Sequence, residues 1–382
     1  MKILFITHYD NMYGANQALY RLIRCLKTVH EEEPMLVIPA TGEMTEEMDK
    51  LGVPCLISPI TQWQGVYTTP GRFLIKKMIR RKAIAREVES LYLQLKDQNI
   101  DVIHSNSSVI GTGAMLASKL GCRHIWHIRE FSREHFHMKY FYGMRMVRRL
   151  YESADYVIAI SDALKMNYLE KYPKANIIRI YDGVNWNSVE ETQTKERALD
   201  APIRFCYLGY LFPMKHQLEV LEGCRQLNQS GFTNYEFWLI GDGKEKYQKK
   251  LRKMIKQYNL TQVKMPGYVE NAALLLNTMD VGVIASEYEG FGLVTVEYML
   301  HGLPVIGYRS GGTVEIIQDG ITGCLVHSRE EFVAAMKYMM ENQERRTRMG
   351  EAGKERAKVC FTEEQNALLI AQVYEKIRKG AI

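Results

Sequence analysis

At 382 residues the chain is too long for one ordinary core, and two domains of about 180 residues are expected. Its 46% apolar and 25% charged residues are those of a soluble globular protein, no apolar run approaches the ~20 residues that span a bilayer, and Ile3-Leu4-Phe5-Ile6 is too short for a signal-peptide core. A net charge of +6 without a recognised binding motif argues against nucleic acid as a partner, and seven scattered cysteines with no CxxC pair argue for a reducing, cytoplasmic setting.

In the N-terminal half, Lys2 to His8, Met35 to Pro39, Val53 to Ile57, Asp101 to His104, Arg123 to Ile128, Tyr156 to Ile160 and Ile177 to Ile180 read as strands. Ala15 to Lys27, Arg72 to Leu95, Gly113 to Leu120, His135 to Tyr151 and Asp162 to Lys171 read as helices between them. This alternation predicts βαβ units and a parallel sheet with helices on both faces. From Arg72 to Arg86 seven Lys or Arg and no acid are interleaved with Phe73, Leu74, Ile75, Met78, Ile79 and Ile84. Lys139, Arg145, Arg148 and Arg149 lie among Phe136, Tyr140, Phe141 and Tyr142 in a second such stretch. Each is either an ordinary amphipathic helix with a solvated basic face or a surface that rests on anionic lipid headgroups.

The first β-to-α loop, His8 to Gln17, holds Gly14 and Ala15 and no GxGxxG, so a dinucleotide site is not expected. His104 and Asn106, and His127 and Arg129, stand just past two buried strands. A histidine there is either a satisfied structural residue or a partner for sugar hydroxyls. The set His124, His127, His135 and His137 lacks a carboxylate or thiol with ligand-like spacing, so no metal site is expected.

Trp186 to Ala201 is polar and aperiodic, as an interdomain linker is. The C-terminal half restarts with the strand Pro202 to Leu208 and Gly209, followed by Tyr210, Lys215, His216 and a helix to about Leu227. Phe237 to Gly243, with Gly241, and Lys264 to Val269, with Gly267, Tyr268 and Val269, are further strand ends at glycine turns. The apolar run Val281 to Ala285 leads into Glu289-Gly290-Phe291-Gly292, then Leu293 and a short helix carrying Glu297, before a strand at Pro304-Val305-Ile306-Gly307. Ligands of open α/β sheets sit where such loops leave the carboxyl ends of strands, and a helix N-terminus there offers unpaired amides to an anion. Gly290 and Gly292 permit close backbone approach, and two carboxylates eight positions apart flank the nest. That layout suits a sugar nucleotide, whose diphosphate has hydroxyl-bearing groups on both sides. Ser310-Gly311-Gly312 and Gly320-Ile321-Thr322-Gly323 follow. Phe361 to Lys379 is amphipathic, with Ala367, Ile370, Val373, Tyr374 and Ile377 on one face.

Glu289-Gly290-Phe291-Gly292, Glu297 and Gly302-x-Pro304-Val305 resemble the signature of retaining GT-B glycosyltransferases of the fourth sequence family. The resemblance spans most of the chain and is dense from about Gly209 to Gly323. It implies an α/β fold of two Rossmann-like, doubly wound domains facing a cleft. Residues 1–184 are then an acceptor-binding domain, 200–358 a nucleotide-sugar-binding domain, and 361–382 a helix that packs back on the first. In such enzymes Glu289 contacts the donor sugar, Phe291, Gly292 and Leu293 contribute backbone groups, Glu297 holds the ribose, and Lys215 neutralises the departing diphosphate. His127 matches a histidine beside the donor sugar, His104 matches more weakly, and Gly14 and Ala15 match loosely a glycine loop facing acceptor and donor phosphate.

Two positions depart from the pattern. Asp182 stands where Asn is usual, and Tyr210 stands where an Arg is expected, with Arg129 or Arg309 as candidate substitutes. The expected activity is metal-independent transfer of a sugar from a UDP- or GDP-linked donor to a lipid-linked or oligosaccharide acceptor, with no cofactor. The expected setting is the cytoplasm, with the inner face of the membrane as a candidate location through peripheral contact with anionic lipid. A nucleotide-sugar 2-epimerase and a non-catalytic sugar-nucleotide-binding subunit are the alternatives on the same architecture.

Overall fold

A computed structural model describes residues 1–67, 69–132, 134, 137–185 and 200–380. The chain divides into two compact units, Met1–Gly183 with Glu363–Ile382, and Val184–Thr362. The linker expected at 186–201 lies almost wholly outside the described residues.

Strands in the first unit are β1 Lys2–Ile6, β2 Glu33–Ile38, β3 Cys55–Ile57, β4 Gln64–Val66, β5 Val102–Asn106, β6 Arg123–Ile128, β7 Met138–Tyr140, β8 Tyr156–Ala159 and β9 Ile177–Arg179. Among the described residues, seven of them form a parallel sheet in the order β3-β2-β1-β5-β6-β8-β9. Because successive side chains of a strand point to opposite faces, Ile3 and Phe5 enter one core cluster and Leu4 and Ile6 another. The first cluster is closed by the helices Gly14–Thr28 and Glu363–Arg378, and the second by Pro70–Leu95 and Thr112–Leu120. Ala367, Ile370, Val373, Tyr374 and Ile377, read from sequence as one apolar face, are all buried in the first unit's core. At roughly 1.5–3 kcal/mol for each large apolar side chain buried, that face holds the last helix to this unit.

The second unit contains β10 Ile203–Leu208, β11 Tyr235–Ile240, β12 Val263–Gly267, β13 Val281–Ile284, β14 Val305–Tyr308 and β15 Gly323–Val326. They form a parallel sheet in the order β12-β11-β10-β13-β14-β15. Both sheets are therefore doubly wound, as expected. The strand order reverses between β1 and β5 and between β10 and β13, and the carboxyl ends of strands at such a switch point are where open α/β sheets leave a crevice.

One stretch differs from its sequence reading. His135 to Tyr151 is not a single helix: Met138–Tyr140 pairs antiparallel with Gln64–Val66, and a helix follows only over Met144–Glu152. The strand β7 is too short for a period-2 signal, and its partner is remote in sequence. His135 and Phe136 lie outside the described residues.

Candidate active site

The second unit's carboxyl edge is built largely from backbone. Gly209, Gly241 and Gly267 end β10, β11 and β12 with φ of 147°, 135° and 87°, values that L side chains rarely adopt. Gly241 N–H donates to Gly267 O at 2.8 Å, and a Cβ on Gly241 would stand 2.1 Å from Gly209 O. The glutamate-bearing loop after β13 is pinned in the same manner. Gly312 N–H donates to Glu289 O at 2.8 Å, and a Cβ on Gly311 would lie 2.1 Å from that same oxygen. Gly292, at φ 104°, starts the helix Leu293–Leu300 without a side-chain cap, which leaves first-turn amides at the loop. Phe291 is buried against Phe361, ring centroids 5.6 Å apart, while Gly290 and Leu293 are partly exposed.

Side chains are then fixed to this edge. Lys215, on the turn Pro213–Lys215, places Nζ 2.7 Å from Glu289 Oε2. The Tyr207 hydroxyl donates to Lys215 O at 2.8 Å and so holds that turn. The Leu208 N–H donates at 2.6 Å to the hydroxyl of buried Tyr298, whose ring fills the space left by Gly282, where a Cβ would come within 2.3 Å. Tyr298 thus ties the helix carrying Glu297 to the end of β10, and Glu297 itself is half-buried. Tyr210 and Tyr268 are 49% and 75% exposed beyond β10 and β12, and Val269 is partly buried. His216 Nε2 lies 3.5 Å from Glu287 Oε2. Of the two cations considered as stand-ins for the Arg missing at Tyr210, Arg309 is paired with Asp319 at 2.7 Å and Arg129 belongs to the first unit.

The first unit's carboxyl edge is a network of buried side chains instead. Asn106 ends β5 opposite His127 on β6, and its Nδ2 donates to Ala15 O at 3.3 Å. Arg129 Nε donates to Asn106 Oδ1 at 2.8 Å, and its Nη1 pairs with Asp182. His127 Nδ1 lies 3.1 Å from His104 Nε2 and 3.4 Å from Arg129 Nη2, while His104 Nδ1 lies 2.7 Å from the Tyr374 hydroxyl. Burial, and then the neighbouring Arg129 charge, hold both histidines well below the usual imidazole range, so both are neutral. His127 Nε2 is buried with no hydrogen-bond partner among the described residues, and Asp182 Oδ1 at 3.8 Å is out of reach. An unmet buried donor costs about 1–3 kcal/mol, which a ligand oxygen would relieve.

Next to this network Ser107 adopts φ 136°, a strained value for a residue with a side chain. Glu130 Oε1 holds it there by accepting from Ser107 Oγ at 2.6 Å and from Ser108 N and Oγ, both at 2.7 Å. Gly14 begins a helix, and no atom lies within 4 Å of a Cβ placed on it, so nothing about the fold demands glycine there. Thr7 and Asn16 close the loop between them, Thr7 Oγ1 donating to Asn16 Oδ1 at 2.7 Å.

Two family models match consecutive parts of the chain: "Glycosyltransferase Family 4" over residues 13–187 and "Glycosyl transferases group 1" over residues 188–356. The chain belongs to glycosyltransferase family 4. An uncharacterised glycosyltransferase of Methanocaldococcus jannaschii is 28% identical over 293 residues, covering 74% of this chain and 77% of that one. HepE of Anabaena, solved with UDP and with UDP-glucose, superposes with a TM-score of 0.79 at 20% identity, covering 98% of this chain and 100% of HepE. Sucrose-phosphate synthase of Thermosynechococcus elongatus gives the same TM-score at 17% identity, with both chains covered throughout. These structures share the GT-B fold with this glycosyltransferase.

Sequence reasoning named Lys215 and Glu289 without their pairing, and it missed Tyr207 and Tyr298 as anchors. Tyr374 belongs by sequence to the apolar face of the last helix, and a hydroxyl in the middle of that face is the available signal. Among the described residues of the glycosyltransferase, no group of three or more His, Cys, Asp or Glu is placed to hold a metal ion, and no helix is long and apolar enough to cross a membrane. A shallow depression of about 740 Å³, lined by Lys2, Asp101, Arg123 and Arg378 among others, lies at the amino ends of β1, β5 and β6, opposite the switch point.

Proposed function

We propose that this glycosyltransferase moves a sugar from a UDP- or GDP-linked donor to an acceptor hydroxyl with retention of anomeric configuration and without a metal or cofactor. The observation that carries the reading is the Lys215–Glu289 pair at 2.7 Å beside the glycine-built edge. A diphosphate is the natural partner for the ammonium group, and a sugar hydroxyl for the carboxylate, so the donor would exchange one internal contact for two. Gly209, Tyr210, Gly241, Gly267, Tyr268, Val269, Gly290, Phe291, Gly292 and Leu293 line the nucleotide and diphosphate, and Glu297 takes the ribose. His104, Asn106, Arg129, Gly14 and Ala15 shape the acceptor side, and His127 bonds the sugar. HepE, with its UDP-glucose complex, supports a nucleotide-sugar donor.

In the reaction the bond from the anomeric carbon to the diphosphate breaks, its electron pair leaving with the phosphate oxygen. The acceptor oxygen bonds the same face of the carbon, and its proton passes to the departing phosphate. Lys215 and the amides after Gly292 stabilise the charge that develops on the leaving group.

The acceptor is a lipid-linked saccharide or oligosaccharide of cell-surface polysaccharide or glycolipid synthesis, reached at the cytoplasmic face of the membrane. In the helix Pro70–Leu95 the distal half buries Ile84, Val88, Leu91 and Leu95, while Leu74, Ile75, Met78 and Ile79 of the proximal half are 57 to 67% exposed among Lys76, Lys77, Arg80, Arg81 and Lys82. Apolar side chains ringed by cations suit an anionic bilayer surface, at about 1 kcal/mol per cation.

A thermal-shift screen of UDP- and GDP-sugars tests the donor. At a hundredfold excess over Kd the right nucleotide sugar adds about 2.7 kcal/mol of stability, and Lys215→Ala removes most of that gain. Turnover surviving EDTA and a product of unchanged anomeric configuration by NMR are expected. Binding without turnover on any saccharide acceptor would favour the non-catalytic reading, for which Tyr210 in place of Arg is the argument. Changing Lys76, Lys77, Arg80, Arg81 and Lys82 together to Gln should abolish co-sedimentation with anionic vesicles.

A further inference from the structure

The contacts around His127 have a direction. A guanidinium only donates hydrogen bonds, so with Arg129 Nη2 at 3.4 Å the His127 Nδ1 is an acceptor and the proton of the neutral ring is on Nε2. His104, 3.1 Å away, then donates to the same nitrogen through its own Nε2. Its Nδ1 is left as an acceptor, and the Tyr374 hydroxyl at 2.7 Å supplies the proton. Burial keeps Tyr374 protonated. The chain of donors starts on the helix Glu363–Arg378 and ends at the unmet N–H of His127.

From this geometry we propose that Tyr374 is a positioning residue for sugar transfer: acting through His104, it holds His127 as the Nε2–H tautomer, a fixed hydrogen-bond donor to a sugar hydroxyl. This rests on the reading above that His127 meets the bound sugar. No proton is transferred by the ring. Its part is to present the N–H in place, and an Nδ1–H tautomer would turn an acceptor toward the ligand and set two donors against each other at Arg129.

Long-range ¹H–¹⁵N spectra of histidine-labelled protein read the tautomers directly, with His104→Gln and His127→Leu for assignment. Both rings should show a protonated Nε2 and an unprotonated Nδ1 from pH 5.5 to 8. A proton on His127 Nδ1, or titration of His127 in that range, overturns the relay. Kinetics supply the second arm, as release of nucleoside diphosphate from UDP-glucose, UDP-galactose, UDP-N-acetylglucosamine or GDP-mannose, whichever turns over fastest. Tyr374→Phe keeps the ring packing and should lower kcat about tenfold with KM little changed, as expected for one buried hydrogen bond. His104→Gln, whose amide can donate and accept in the same places, should lose less than His104→Leu. Adding Tyr374→Phe to His104→Leu should cost nothing more, because Tyr374 acts through His104. Additive losses would make Tyr374 a packing residue and overturn the proposal. If His127→Leu leaves kcat unchanged while the spectra show the stated tautomers, the relay exists but His127 does not serve the sugar, and the functional reading of that residue fails.

Discussion

The two carboxyl edges solve one problem, presenting polar groups at a switch point, by different means. In the second unit the edge is main chain: glycines with positive φ end three adjacent strands, and Gly311 and Gly312 press against the Glu289 loop. In the first unit it is side chains, with Arg129, Asp182, Asn106, His104 and His127 buried together and tied to Tyr374. A backbone nest tolerates little change of shape but is indifferent to pH. A buried charged network is sensitive to both charge and proton.

Acid should expose the difference most strongly. His8 and His124 are lowered by burial to about 4 and about 3, and His104 and His127 are also held low. The unfolded chain takes up these protons near pH 6.5 and the folded one does not, so stability is full above about 6.5 and falls as the pH drops toward the folded values. At pH 5 His8 and His124 should each cost about 2 kcal/mol. The second unit has one such group, His301, lowered to about 4. Hydrogen exchange corrected for intrinsic rates should show the first unit opening first on acidification, and equal loss in both units would break the comparison.

Next in size is Arg129→Met, which leaves Asp182 buried without its cation. A loss of about 3–5 kcal/mol is expected in urea unfolding, with recovery when Asp182→Asn is added. Gly311→Ala strikes the other edge through a contact of 2.1 Å at φ 51° and should cost about 2–4 kcal/mol while weakening nucleotide binding. Gly14→Ala, with open space around it, should change stability by less than about 0.5 kcal/mol. Should Gly14→Ala prove the more damaging of the two, the backbone nest has been assigned to the wrong unit. Between the two glycine changes in size is Glu289→Gln, which breaks a partly buried ion pair with Lys215 and should shift stability by about 1 kcal/mol or less while depressing turnover.

How much of this was readable in the chain varies with how local each cause is. The loop Glu289-Gly290-Phe291-Gly292 was legible because the glycines it needs stand next to one another, and so was the last helix, whose buried face repeats at helical spacing. The pairing of β4 with β7 was not, since three residues carry no period and the partner is distant. The pairing of Lys215 with Glu289 was not legible either, although both residues were named, because their meeting depends on β10 lying beside β13.

By itself, then, the sequence determined the parallel strands, as short apolar runs buried on both faces, and the glycine turns, because φ demands and apolar periodicity act within a few residues. Only the tertiary structure decided which strands flank the switch points, that Arg129 would be spent on Asp182, and that a tyrosine from the last helix would reach a histidine on β5. Those outcomes depend on side chains far apart in the chain being desolvated together, and no local preference encodes which partners burial will leave within hydrogen-bonding distance.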